Sequence, residues 1–126
     1  MSSIIQWLQD WTKSQIDGDW EHELGISISM LDNPGWILSA DVSNYGDFLK
    51  ETKPLGRDND VDWIDFEVRV IAKTHVYIEI FGDISKLNKI LYSFKAIIGE
   101  LEELERQGKG ILSAHRIKEI IDAALS

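Results

Sequence analysis

Apolar positions fall into two rhythms along the chain. Ile4, Trp7, Leu8 and Trp11 stand at i, i+3, i+4 and i+7, while Gln6, Gln9, Asp10 and Lys13 lie off that line. This spacing predicts an amphipathic helix. Ser3, followed three residues later by Gln6, matches a capping box in which both side chains satisfy free amides of the first turn. Gly18 then offers a left-handed stop. Beyond it the period drops to two. Leu24, Ile26, Ile28 and Met30 alternate with Gly25, Ser27 and Ser29, and Trp36, Leu38, Ala40 and Val42 alternate with Ser39, Asp41 and Ser43. "LDNPGW", Leu31 to Trp36, supplies turn residues between them, so the pair reads as a hairpin.

Residues 44–62 are looser, with room for a short helical turn around Phe48. Two further strands follow, with Ile64, Phe66, Val68 and Val70 facing one way, then Val76, Ile78 and Ile80, joined through "AKTH". Asp83 is placed to cap a long helix whose stripe runs from Leu87 through Ile90, Phe94 and Ile98 to Leu101 and Leu104. Gly108 and Gly110 end it. Ser113 can cap a last helix with Ile117, Ile120, Ile121 and Leu125 on its inner side. Four strands with one apolar face each need a cover, and the helices supply it. The expected fold is therefore α+β: a mostly antiparallel four-stranded sheet with an N-terminal helix and C-terminal helices packed on it in two layers, as a single domain over 1–126.

Charge disturbs this pattern in one place. The long helix carries Lys86 and Lys89 near its start and Glu100, Glu102, Glu103 and Glu105 near its end, the reverse of what a helix dipole favours. With Gly99 inside, a kink or break there is expected, leaving the final segment as a mobile addition.

The whole chain carries −9, unevenly distributed. From Ser14 to Glu67 there are 13 Asp/Glu against 3 Lys/Arg, a balance of −10; the remainder is at +1. Such a field repels nucleic-acid phosphates and anionic membranes and draws in basic partners. The chain has no cysteine, and Gln6, Gln9 and Asp10 interrupt the one N-terminal stretch resembling a signal peptide. No segment approaches the roughly 20 apolar residues that cross a bilayer. These features agree with a cytoplasmic protein.

Candidate chemistry concentrates in "DGDWEH", Asp17 to His22. In an extended segment Asp17, Asp19 and Glu21 would share one side with His22 adjacent, a donor set for a hard cation or for acid/base work. The calcium-loop pattern fails, because His22 and Ile28 occupy the positions that need glycine and glutamate. His75 and His115 stand at no zinc spacing. No nucleophile motif or phosphate-cradling loop is present, so no cofactor or metal is expected. The plainer reading makes the stretch a helix-to-strand junction with Trp20 packed on the sheet. Of the five tryptophans, Trp7, Trp11 and Trp36 fall on core stripes, whereas Trp20 and Trp63 flank acidic runs and are the better surface candidates.

"WLQDW", "SQIDGDWEHELGI" and "LDNPGW", and less sharply "DWIDFEV" and "GDISKLNKIL", resemble the immunity 53 family, immunity proteins of bacterial polymorphic toxin systems. The likeness covers about residues 4–94, with an extension from about 95 to 126. The chain departs from the family pattern at Ile16, where a cysteine is usual, and at Leu24, where an aromatic is usual. The resemblance implies a non-catalytic protein that binds a cognate toxin domain in the producing cell. The acidic first half fits a basic toxin, with Asp19, Trp20, Glu21, His22, Asp58, Asp60, Asp62 and Trp63 as candidate contacts. The rival readings are a small metal-dependent hydrolase built on Asp17, Asp19, Glu21 and His22, and a generic protein-binding adaptor. If the acidic half is not the interface, the uncovered sheet face or the last helix is the place to look. Oligomeric state is not legible.

Overall fold

The computed structural model describes residues 3–22, 25–32, 34–56, 62–72 and 74–126. Helix α1 (Ile4–Gln15) leads into strands β1 (Ile26–Leu31) and β2 (Gly35–Asp41). Strands β3 (Ile64–Ile71) and β4 (His75–Asp83) follow, and helices α2 (Leu87–Gln107) and α3 (Ala114–Ala123) close the chain. The sheet is wholly antiparallel in the order β1-β2-β4-β3. Each hairpin is local, and β2 beside β4 joins them. The architecture is the expected α+β two-layer one.

Local chemistry explains the element ends. Ser3 Oγ accepts from the Gln6 amide at 3.0 Å, but the reciprocal half of the capping box is absent: Gln6 Nε2 donates to Asp10 Oδ1 at 3.0 Å. Ser113 Oγ caps α3 through the Arg116 amide at 3.1 Å. Gly108 ends α2 at φ +74°, its amide reaching the Leu104 carbonyl at 2.8 Å. Asp83 does not cap α2. It sits at the end of β4 and accepts from the Ser85 amide and hydroxyl and the Trp63 amide, which tightens the turn before the helix. Burial pushes the Asp83 carboxyl up, and the Ser85 and Trp63 donors with nearby Lys86 outweigh it, leaving it below the ordinary carboxylate range.

One face of the sheet carries the core. Leu38, Ala40, Phe66, Val68, Ile78 and Ile80 lie fully buried against Ile90, Phe94, Ile97 and Leu101 of α2. Helix α1 joins through aromatic packing, Trp11 meeting Phe94 edge-on at 5.0 Å and stacking beside Trp7 at 6.2 Å. The helical layer stops short of β1. Its Ile28 and Met30 share the core-side face with Leu38 and Trp36, as the alternation predicts, yet remain exposed.

The break expected at Gly99 does not occur. α2 is one helix of 21 residues, because Gly99 lies on its exposed side while buried Ile97, Ile98 and Leu101 hold the flanking turns. Nor is the last segment a loose addition: Ile117, Ile120 and Ile121 are buried in the core, whereas Leu125 is exposed. Three of the dipole-adverse charges of α2 have tertiary partners, while Glu103 pairs with Arg106 inside the helix. Lys89 Nζ donates to the Ala124 carbonyl at 2.9 Å, Arg116 Nε donates to Glu100 Oε1 at 3.0 Å, and Lys86 pairs with Asp62.

Two glycines give opposite tests of this packing. A Cβ on Gly35 would lie 2.4 Å from the Gly82 carbonyl oxygen, so Gly35→Ala must part β2 from β4. It is expected to lower stability by about 1–3 kcal/mol. Gly99 has nothing within 4 Å of such an atom. Gly99→Ala should raise stability by about 0.5–1 kcal/mol. Denaturant unfolding of both variants checks this; equal effects would refute the account.

Candidate functional site

Asp17 to His22 forms the junction between α1 and β1, and its geometry is turned inward on the backbone. Asp17 Oδ1 accepts from the Asp19 and Trp20 amides at 2.9 and 3.0 Å. The Glu21 carboxylate reaches back to the amides of Asp17 at 3.1 Å and Gly18 at 2.9 Å. Both acids thus satisfy donors that the chain exposes between elements. The Trp20 amide, with that of Asp19, holds the Asp17 carboxyl below its ordinary range. Glu21 is lowered by its own amide and, against some burial, by those of Asp17 and Gly18 and by His22.

Trp20–His22 is a turn of 3-10 helix, so the extended alternation that would align three carboxylates is lost. The Trp20 indole packs edge-on against Trp11 at 5.7 Å and donates to the Asp41 carbonyl at 3.0 Å, tying the junction to the end of β2. Trp20 and Glu21 are half-buried, and Asp19 and His22 face solvent. Among the described residues no group of three or more His, Asp or Glu could hold a metal ion.

Of the second set of sequence candidates, only Asp62 and Trp63 are described. Asp58 and Asp60 fall outside the described residues. Asp62 is exposed, at φ +57°, and pairs with Lys86. Trp63 is not a surface residue: it is 8% exposed and packs edge-on against Phe81 at 6.1 Å. The hydrogen bond that its backbone amide donates to the Asp83 carboxylate and the Phe81 ring draw it onto the sheet. In the register, Trp20 meets Asp41 at one end of β2, while Ile64 lies across from Gly82, next to Gly35 at the other end. Seven residues separate the ends, about 20 Å at the rise of a strand. Among the described residues, Asp62 and the junction acids therefore do not form one patch.

Between them runs the helix-free face of the sheet. It holds an open groove of about 480 Å³ with Leu31, Ile37, Trp63 and Phe81 as its apolar part. Pro54 and Gly56 form a wall, held by Asp65, whose carboxylate accepts from the Leu55 and Phe66 amides at 3.0 and 2.8 Å and from the Gly56 amide at 2.8 Å. Glu67 and Glu79 line the groove and stand directly opposite each other across β3 and β4. Glu79 accepts from Ser39 Oγ at 3.0 Å and has Arg69 at 3.6 Å. Glu67 has no side-chain partner among the described residues. Like charges placed so destabilise a sheet unless a cation answers them. Sequence reasoning passed over these residues, although their signal is present. Ile37 and Phe81 are apolar at positions out of phase with the core, where a two-layer fold leaves the sheet bare.

The capping geometry predicts opposite outcomes for neighbouring acids. Asp17→Ala should lower the melting temperature, and Asp19→Ala should leave it unchanged. Folded-state values for Asp17 and Glu21 lie below their ordinary 3.8 and 4.5, so their stabilisation is complete above those values and disappears as pH falls through the lowered ones. The deficit of Asp17→Ala should therefore shrink on acidification below about pH 4. Thermal melts across pH check this; a deficit independent of pH would refute it.

Neither the curated proteins nor the solved structures contain a match to the chain. A family model described as Immunity protein 53 matches residues 5–99, a span that holds α1, the junction, all four strands, the groove and the first half of α2. With the junction and the sheet both inside that match, the chain belongs to the Immunity protein 53 family.

Proposed function

We propose that this protein is a non-catalytic immunity protein that binds a cognate toxin domain in the cytoplasm of the producing cell and so neutralises it. Family membership supports the class of function. The observation that carries the interface is the groove on the helix-free face, where apolar Leu31, Ile37 and Phe81 adjoin the opposed carboxylates of Glu67 and Glu79. An apolar floor beside negative charge that Arg69 answers only at Glu79 suits a basic side chain with an aliphatic stem, a Lys or Arg of a basic toxin. The −10 balance of residues 14–67 would speed the encounter. Asp62, at the Trp63 end, would act from the rim, and Asp58 and Asp60, near it in sequence, would add to the same negative charge. Asp19, Trp20, Glu21 and His22 would be an outlying contact. No helix among the described residues is long and apolar enough to cross a membrane.

The hydrolase reading draws no support from the junction, where Asp17 Oδ1 and both Glu21 oxygens accept from backbone amides. Nuclease, phosphatase and peptidase assays with and without divalent cations are expected to show no turnover. Activity that disappears in Asp19→Ala or His22→Ala would reverse the conclusion.

The binding surface is tested with Glu67→Lys. It removes the repulsion from Glu79, so the melting temperature should hold or rise. Affinity for the toxin encoded beside it should fall about 10–100-fold, roughly 1.4–2.8 kcal/mol. Association of the wild type should slow as salt is raised. Unchanged affinity in Glu67→Lys, with a loss in Asp19→Lys, would move the interface to the junction end.

A further inference from the structure

The two edges of the sheet are unlike. On β3, the outward main chain of Val68 is covered: its amide donates to Thr52 Oγ1 at 3.0 Å, and its carbonyl accepts from the Thr52 amide at 3.0 Å. β3 also carries Asp65, Glu67 and Arg69. Among the described residues, β1 has none of these protections. It is the one strand of the four without Asp, Glu, Lys or Arg, and it contains no proline. Its four central residues, Ser27 to Met30, are all exposed. Edges in soluble proteins are usually blunted by charge, proline or a covering segment.

The register fixes which groups the bare edge presents. The Asp41 amide donates to the Gly25 carbonyl at 2.8 Å, so Gly25 is in a hydrogen-bonded pair with β2. Antiparallel pairs alternate, so Ser27, Ser29 and Leu31 also bond inward to β2. The amides and carbonyls of Ile26, Ile28 and Met30 then point away from the sheet.

We infer that β1 pairs antiparallel with the β1 of a second copy, about a two-fold axis at Ile28, giving a continuous eight-stranded sheet. That register sets Ile28 against Ile28, Ile26 against Met30 and Ser27 against Ser29. Every residue in an outward-bonding position meets another such residue. Apolar side chains adjoin apolar ones on the helix side, where Ile28 and Met30 are 39% and 61% exposed, and hydroxyls adjoin hydroxyls on the other. The strand is self-complementary, as a two-fold interface requires. In a chain of −9 it is also the edge at which a second copy brings no like charge within the strands. A strand pair of this length is smaller than the standard interface of roughly 1,600 Å². Association in the range of about 10–100 µM is therefore expected.

The absence of cysteine allows a direct test of register. Opposed Ile28 Cα atoms would lie about 5.5 Å apart, within the range a disulfide spans. Under mild oxidation Ile28→Cys should cross-link at least 10-fold faster than Ile5→Cys, an exposed control on α1. Sedimentation velocity should show concentration-dependent dimer for the wild type. Ile28→Pro removes an outward amide without costing a bond to β2, and Ile28→Lys adds charge at the axis; both should be folded monomers by circular dichroism. A wild type that stays monomeric to about 500 µM, well above the expected range, would overturn the inference. So would equal cross-linking of the two cysteine variants. A monomeric wild type whose toxin affinity is lost in Ile28→Lys would assign the edge to a toxin strand instead.

Discussion

The pairing of β2 with β4 joins two locally closed hairpins into one sheet, and the approach of Gly35 to the Gly82 carbonyl sets how closely that pairing is made. Several properties of the molecule depend on it. It stacks Leu38, Ala40, Ile78 and Ile80 into the floor of the core. It sends β1 and β3 to the two edges, where they meet different fates. It also brings Ile37 beside Phe81 and so creates an apolar strip on the face that no helix covers.

The helical layer answers only part of the sheet. α2 runs unbroken over the central strands, and α3 locks against it through Lys89, Glu100 and Arg116. These contacts explain a charge order that an isolated helix would disfavour. A lysine at the start of α2 serves the C-terminal carbonyls of α3, and a glutamate in its second half serves an arginine of α3. Because the layer ends before β1, an Ile–Ser alternation that resembles a half-buried strand becomes an exposed edge.

The acidic character of the first half has two separate structural meanings. At the junction, Asp17 and Glu21 are consumed by backbone amides, and Asp65 likewise pins the Pro54–Gly56 wall. These carboxylates shape the chain. Glu67 and Glu79 instead face each other on an open surface with partial compensation, and the proposed toxin contact rests on charges of this kind. A count of acids along the sequence cannot separate the two kinds, since the difference lies in which donors the fold brings within reach.

Periodicity was sufficient to read α1, the two hairpins, α2 and α3, because each rests on contacts between residues near in sequence. The caps at Ser3, Gly108 and Ser113 were legible for the same reason. The family was legible too, since "DGDWEH" and "LDNPGW" occur at a specific spacing. The strand order was not, because the β2–β4 pairing joins residues about forty apart and depends on a backbone approach rather than a side-chain pattern. Gly99 misled for a related reason: its local helix penalty of about 1 kcal/mol is outweighed by the burial of Ile97, Ile98 and Leu101 against elements distant in the chain. Trp63 reads as exposed beside its acidic run until Asp83 and Phe81, some twenty residues away, draw it onto the sheet. Composition and period thus determined the elements and the sign of the field. The tertiary structure decided which carboxylates were spent on the backbone, which apolar face stayed open and which edge was left unpaired, since each of these depends on what a distant segment covers.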